Sequence, residues 1–424
     1  MPPARTFLLA TLAFALAAPP AHADIFAASE GRPTGRTDFD IYLVNMSTGA
    51  QLTLPAGLNM TSADELHPSL TADGKRMVFE RRSGATLRIV EIDLTTGQSA
   101  DLFSGFEQAA NQQITPSISP DGRTVATGEA FTEVPQVTLT DVSAFPTGPF
   151  PHSTYRTSFS FGAGTTGVTA NPVISGNLIA FDEQPLNATA RTVVGPLAGG
   201  TTSQPFGGRH PALGTPGGVN TVVFDVSAAA GDRDLAFNTY SAPAAAANGT
   251  TVPLAQVNTS LSENRPSFSL DGRYVAFVTH GGGATVRLNL WDSLTQTTMT
   301  APGLGIVDAG IDGSTSVYTR PLLKTTTISV PVVRFDLLSG SGVGILVQRV
   351  VGHRRLFGRR VPALRMVGRV PLGRFKAGAG RARWDGRVGG RKLRRGTYQV
   401  TVRAVDARGH VLDLGRPRLV RISR

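Results

Sequence analysis

The stretch Arg265-Pro-Ser-Phe-Ser-Leu-Asp-Gly-Arg-Tyr-Val-Ala-Phe277 decides the fold. It reads as a strand, a tight turn and a second strand. Pro266 suits the start of a strand, where no ladder hydrogen bond has to be donated. Ser267 and Ser269 alternate with Phe268 and Leu270, the period of a half-buried strand. Asp271-Gly272 reads as the turn, supplying positive φ angles. Arg273 to Phe277 returns as a β-branched and aromatic strand. The same phrase occurs at His67-Pro-Ser-Leu-Thr-Ala-Asp-Gly-Lys-Arg-Met-Val-Phe79 and at Thr115-Pro-Ser-Ile-Ser-Pro-Asp-Gly-Arg-Thr-Val-Ala-Thr127.

Weaker copies lie between these. Asn171-Pro-Val-Ile-Ser-Gly-Asn-Leu-Ile-Ala-Phe181 keeps the proline, a turn and the apolar return strand. His210-Pro-Ala-Leu, then Gly217-Gly218 and Thr221-Val-Val-Phe-Asp225, is a degenerate version. The repeat prolines stand at 68, 116, 172, 211 and 266. Four-stranded propeller blades repeat every ~40–50 residues, and longer intervals need only inserted loops, such as Phe145 to Thr166. Five full units, plus a composite of the Ile306 to Tyr318 region with the N-terminal strands, give six blades. Joining the first and last strands would close the ring and leave no open sheet edge.

These units resemble the TolB-like β-propeller repeat, whose core is Pro-x-(aromatic or aliphatic)-Ser-Pro-Asp-Gly-(Lys/Arg)-x-(aliphatic)-Ala-Phe. The resemblance covers residues 24–320 and is specific in three units. The frequent tryptophan of the family is Leu70, Ile118 or Phe268 here, and units four and five lack Asp-Gly. Those departures leave the blade count open between six and seven. The resemblance implies an interaction platform.

From residue 325 the composition changes. Val332 to Leu338 and Gly344 to Val351 read as strands. Tyr398, Val400, Val402 and Ala404 then alternate with Gln399, Thr401 and Arg403. Trp384, Asp385, Gly386, Gly390, Gly396 and Tyr398 match an Ig-like β-sandwich of flagellar hook-capping type, which this region resembles. The resemblance implies an add-on module of secreted proteins.

Charge divides the chain in the same place. Residues 321–424 hold 24 Lys+Arg against 4 Asp, a net of +20, whereas residues 1–320 carry a net of −9. Such asymmetry indicates two domains with different surfaces. At the N-terminus Arg5, the apolar run Phe7 to Ala18 and Ala21-His22-Ala23 form a secretory signal, with cleavage expected after Ala23. That run is too short to span a membrane, and no later one is longer. There is no cysteine, which excludes disulfides, thiolate metal sites and a lipid anchor on a cysteine.

No metalloprotease, nucleophile-elbow or phosphate-loop motif occurs. The C-terminal hundred residues are strand-like and too few for an α/β-hydrolase domain. His67, Thr115, Asn171, His210 and Arg265 each precede a repeat proline. If that strand is innermost, the five ring one mouth of a central channel as a ligand-binding set; otherwise they are solvated loop residues. The clusters Arg354-Arg355, Arg359-Arg360 and Arg394-Arg395 read as outward-facing turns, forming an anionic-surface contact or a solvated face.

The expected fold is therefore all-β: a signal peptide over 1–23, a six-bladed β-propeller over 24–322 and a small basic β-sandwich over 325–424. The expected function is non-enzymatic binding in the cell envelope, outside the cytoplasm. The partner would be an envelope protein or an anionic wall polymer, with no specific nucleic acid, cofactor or metal. The alternative is a propeller enzyme acting on an extracellular polysaccharide at the channel mouth. Buried carboxylates or a three-histidine site would favour the enzyme.

Overall fold

A computed structural model describes residues 25–423 apart from 34–35, 47, 60–61, 85, 104–114, 130–135, 156–166, 186–189, 200–205, 229–231, 242–245, 248–250, 281–285, 302–314, 320–321 and 410. The expected signal peptide, the expected turn at Asp312-Gly313 and the start of the expected Ile306 strand region lie outside the described residues. Among those described there is no α-helix, and every strand pairing is antiparallel.

Residues 25–319 form six sheets among the described residues. Sheet one is composite: Ile25–Gly31 pairs on one side with Asp40–Asn45 and on the other with Thr315–Thr319. Sheet two runs Asp64–Leu70, Arg76–Ser83, Thr86–Asp93, Ser99–Asp101; sheet three runs Pro116–Ile118, Thr124–Glu129, Gln136–Asp141, His152–Tyr155. Sheets four, five and six open with Gly167–Ser175, Arg209–Gly214 and Ser262–Phe268, and each adds strands outward in sequence order.

Six hydrophobic clusters join these sheets pairwise in a cycle. Phe26 and Leu43 of sheet one meet Met77 and Phe79 of sheet two. Val78 and Ile89 meet Val125 and Ile118. Ala126 and Val137 meet Ile179 and Phe181. Ala180 and Val194 meet Val222 and Phe224. Val223 and Phe237 meet Val275, Phe277 and Trp291. Ala276 and Leu290 meet Ala27 and Val44, which returns the cycle to sheet one. The return strands read Met77-Val78-Phe79 or Val222-Val223-Phe224 without polar alternation for this reason. Successive side chains point to opposite faces, and both faces are covered by a neighbouring sheet.

The hairpin turn differs from the sequence reading in one detail. Only the glycine takes positive φ, at 64°, 71° and 65° for Gly74, Gly122 and Gly272. Its N–H donates to the carbonyl of Thr71, Ser119 or Ser269, closing a type I turn with the glycine at its end. The aspartate instead accepts from the turn hydroxyl: Thr71 to Asp73 at 2.8 Å, Ser119 to Asp121 at 2.7 Å, Ser269 to Asp271 at 2.7 Å. The serine after the proline ties sheets together, since Ile118 N donates to Ser69 Oγ at 3.1 Å.

The prolines correct the sequence reading as well. In sheets two, four, five and six the strand starts earlier than expected and runs through the proline by way of a bulge. The pairing register shifts between Leu66 and Ser69, Ala170 and Val173, Arg209 and Ala212, and Asn264 and Ser267. A bulge leaves the extra residues off the ladder, so a residue without an N–H fits there.

The C-terminal region has two principal sheets around one core. Leu323–Ser329, Val332–Leu337 and Gly378–Arg383 make the first. Arg359–Phe375, Ser341–Leu356, Gly396–Val405 and Val411–Leu414 make the second, with Arg418–Ile422 also on Gly396–Val405. Val333, Phe335, Val343, Ile345, Val347, Trp384, Tyr398, Val400 and Val402 fill the space between them. Other residues of the second sheet meet the ring at sheets five and six. Gln348 Nε2 donates to Thr295 O at 2.7 Å and Gln399 Nε2 to Leu294 O at 2.8 Å. Arg273, paired with Asp292, also donates to Leu414 O. The hairpin tip carries Leu356 and Phe357 into the cluster of Phe237, Val275 and Trp291.

Candidate functional site

The bulges have a common consequence. His67, Asn171, His210 and Arg265 sit at φ of 54°, 51°, 52° and 51°. Non-glycine residues rarely adopt this region, at a cost of roughly 1–2 kcal/mol each. A following proline disfavours helical backbone further, so local preference runs against the observed geometry. All four, with Thr115, line one central cavity of about 130 Å³, together with the five prolines and Ser69, Ser117, Ser267 and Ser316. The structure thus brings the five residues together. Asn171 is half-buried and the other four are buried. They are not solvated loop residues.

Behind this ring lie buried carboxylates that the sequence reading missed. The N–H of His67, exposed by its bulge, donates to Glu30 of sheet one. The N–H of His210 donates to Asp182 of sheet four at 2.8 Å. In sheet three Gly128 occupies the corresponding position, and Thr115 Oγ1 takes over as acceptor for the N–H of Asn171. His67, His210 and Asn171 also engage the carboxylate of their own sheets. His67 Nδ1 lies 3.2 Å from Glu80 Oε2, His210 Nδ1 lies 2.6 Å from Asp225 Oδ2, and Asn171 Nδ2 donates to Asp182 Oδ2 at 2.8 Å. Arg265 Nη1 donates to Asn171 Oδ1 at 2.8 Å, bridging sheets six and four past sheet five. A readable signal existed: Phe79-Glu80, Phe181-Asp182 and Phe224-Asp225 each place an acid directly after an aromatic within a return strand.

Burial raises the pKa of Asp182 to about 7, despite the N–H of His210 and the amide of Asn171. Burial likewise raises Glu30, although His67 opposes it. For Asp225 burial pushes upward too, but His210 and Arg233 outweigh it and the carboxyl stays below its ordinary range. Asp182 therefore holds a proton in the folded chain that the unfolded chain loses near pH 4. Stability from this group is greatest below pH 4, falls as pH rises to about 7, and is constant above. Asp182→Asn keeps the acceptor without the charge. Its stability relative to wild type should rise by on the order of 2–4 kcal/mol between pH 4 and pH 8. Urea melts across that range check this; parallel curves for the two proteins would contradict it.

The cavity wall itself presents no carboxylate among the described residues. No group of three or more His, Asp or Glu is placed to hold a metal among them. The wall offers hydroxyls, two imidazoles, an amide and a guanidinium over a proline-lined throat, a set that suits binding a small polar group or a chain end.

The arginine clusters are distributed differently from the solvated turns expected. Arg354 is half-buried and donates to Gln296 of the ring. Arg359 is exposed but donates to Gly217 O. Arg355, Arg360, Arg394 and Arg395 are exposed. Arg354 and Arg359 thus stand at the seam between the two halves, because the hairpin that carries them docks through Phe357.

No helix among the described residues is long and apolar enough to cross a membrane. No family model and no curated protein matches the chain. Solved structures do. TolB from Acinetobacter baumannii is similar at 16% identity and a TM-score of 0.49, over 69% of this chain and 66% of that one. The chain thus spans just under two thirds of that protein. Putative TolB from Agrobacterium tumefaciens is similar at 14% identity and a TM-score of 0.42, over 70% of this chain and 99% of that one. An oligogalacturonate lyase from Vibrio parahaemolyticus is similar at 12% identity and a TM-score of 0.37, over 74% of this chain and 80% of that one.

Proposed function

We propose that the chain is a secreted, non-enzymatic binding protein of the cell envelope. It is read as a six-bladed propeller whose channel face holds the partner, with a basic Ig-like sandwich as a second, electrostatic contact. One observation carries the reading: four non-glycine residues in the left-handed region, each before a proline, converge on one cavity. Such strain persists only where the surroundings over-determine it, and it clusters at ligand sites. The partner is an envelope protein or an anionic wall polymer. Arg355, Arg360, Arg394 and Arg395 supply the charge that attracts an anionic surface.

The buried carboxylates speak for the rival, a polysaccharide-cleaving enzyme. Their positions speak against it. Glu80, Asp182 and Asp225 are spent on ring side chains, Glu30 and Asp182 on bulge N–H groups, and none of the four lines the cavity. An acid–base pair has to reach its substrate within hydrogen-bond distance.

The rim tests the proposal. Leu270, 60% exposed, and Ser175, half-buried, both line the cavity. Ser175→Arg with Leu270→Arg should weaken retention of the protein on its own purified envelope at least tenfold, at any salt concentration and with an unchanged melting temperature. Replacing Arg355, Arg360, Arg394 and Arg395 with Gln should weaken it at low salt only, since exposed charges are screened over about 8 Å at physiological ionic strength. Retention untouched by the rim pair would defeat the channel reading.

A further inference from the structure

A second site lies on the C-terminal sheet, independent of the channel. Val343, Ile345 and Val347 face the core of that region, so Gly342, Gly344 and Leu346 face the other way. The register sets Gly344 opposite Arg403 on one flank and Pro371 on the other. It sets Gly342 opposite Arg374, and Leu346 opposite Arg369. Val370 and Leu372 pack on the core, which leaves Arg369 and Arg374 on the same face as Arg403. The two glycines carry no side chain on this face and three arginines flank them, while Val405, opposite Gly342 on the other flank, leans over it. Neither glycine has room for a Cβ: one at 342 would lie 2.8 Å from Val405 Cγ2, and one at 344 would lie 3.0 Å from Val370 O.

Arg403 is 7% exposed, and among the described residues its side chain makes no hydrogen bond or ion pair. Arg369 and Arg374 are exposed, and they too have no partner among the described residues. A buried charge is ordinarily paired, because leaving it unpaired carries a large desolvation cost. Burial, and after it the nearby Arg369, lowers the pKa of Arg403 to about 10.

We propose that Arg403, Arg369 and Arg374 form an oxyanion-binding site over the Gly342–Gly344 strip, taking a phosphate or carboxylate group. Guanidinium forks match both groups. The open edge at Arg369 and Arg374 admits the ligand, and Arg403 at the back supplies the charge that no protein group neutralises. This site is a discrete cradle, distinct from the diffuse attraction of the exposed clusters.

The test is calorimetric titration of the full chain with inorganic phosphate, dimethyl phosphate and acetate, at constant ionic strength. At least one of them should bind saturably, and the tightest identifies the source as free phosphate, phosphodiester or carboxylate. Arg369→Gln and Arg403→Met should each weaken that binding at least tenfold. Arg365→Gln, exposed on the same strand, should change it less than twofold. If Arg403→Met fails to fold, the exposed Arg369→Gln still decides. Heats that stay linear for all three ions, or binding equal in Arg369→Gln and wild type, would overturn the site.

Discussion

Gly272→Val should destabilise the protein by about 3–5 kcal/mol, and Gly218→Val by only about 1–2 kcal/mol. Both glycines have positive φ, 65° and 83°, so valine at either meets the left-handed penalty. Their surroundings separate them. A Cβ at 272 would lie 2.5 Å from Pro216 N and 2.8 Å from Thr215 C. Those are backbone atoms of sheet five, in the turn beside its neighbour, and they move only if the two sheets part. A Cβ at 218 meets nothing within 4 Å. Valine at 272 therefore adds an overpacking cost between sheets to the local strain. Chemical melts of the two variants measure the difference, and equal midpoints would show that sheets five and six do not meet at this turn.

Phe357→Ala should cost about 3–5 kcal/mol and uncouple the C-terminal region from the ring. Phe357 is 3% exposed and sits at the hairpin tip with φ 47°. Its ring stands edge-on to Phe237 at 5.0 Å and to Phe268 and Trp291 at 6.0 Å. Aromatic contacts of this geometry add about 0.5–1.5 kcal/mol each beyond the area they bury. Leu356 enters the same cluster and Val361 packs against it, while the hydrogen-bonded contacts of the seam are those of Gln348, Gln399, Arg273 and Arg354. Polar contacts that water can replace hold two bodies together weakly. Scanning calorimetry should therefore show one transition in wild type and two in Phe357→Ala. Phe357→Gly should be less damaging than Phe357→Ala, because glycine has no left-handed penalty to meet. A single transition moved by less than 1 kcal/mol would show that the polar seam suffices.

The repeat phrase made much of this architecture legible. Asp-Gly marked the tight turns of three units, and the residue before each proline marked the cavity wall. What stayed hidden was of two kinds. The first was conformational. Pro68 and Pro266 look like strand starts, because the preference for extended backbone before a proline says nothing of a bulge that forces His67 and Arg265 the other way. The second was long-range. Glu80, Asp182 and Asp225 lie 13, 11 and 15 residues beyond their ring partners. The spacing drifts with hairpin length, so no fixed motif announces the pairing. Phe357 was hidden by its setting, since Arg354-Arg355-Leu-Phe-Gly-Arg359-Arg360 has the composition of a solvated turn. Its apolar pair is covered by a surface some sixty-five or more residues away in sequence. The arginines around Gly342 and Gly344 needed the strand register, which alternation alone does not supply.

The central claim, that the channel face is the binding face, is tested most directly by site-specific photo-cross-linking in the native envelope. A photoreactive side chain at Leu270, on the cavity rim, should give one discrete adduct. The same group at Leu338, 49% exposed on the C-terminal region, should give none of that size. An adduct at Leu338 equal to that at Leu270, or no adduct at Leu270, would contradict the account.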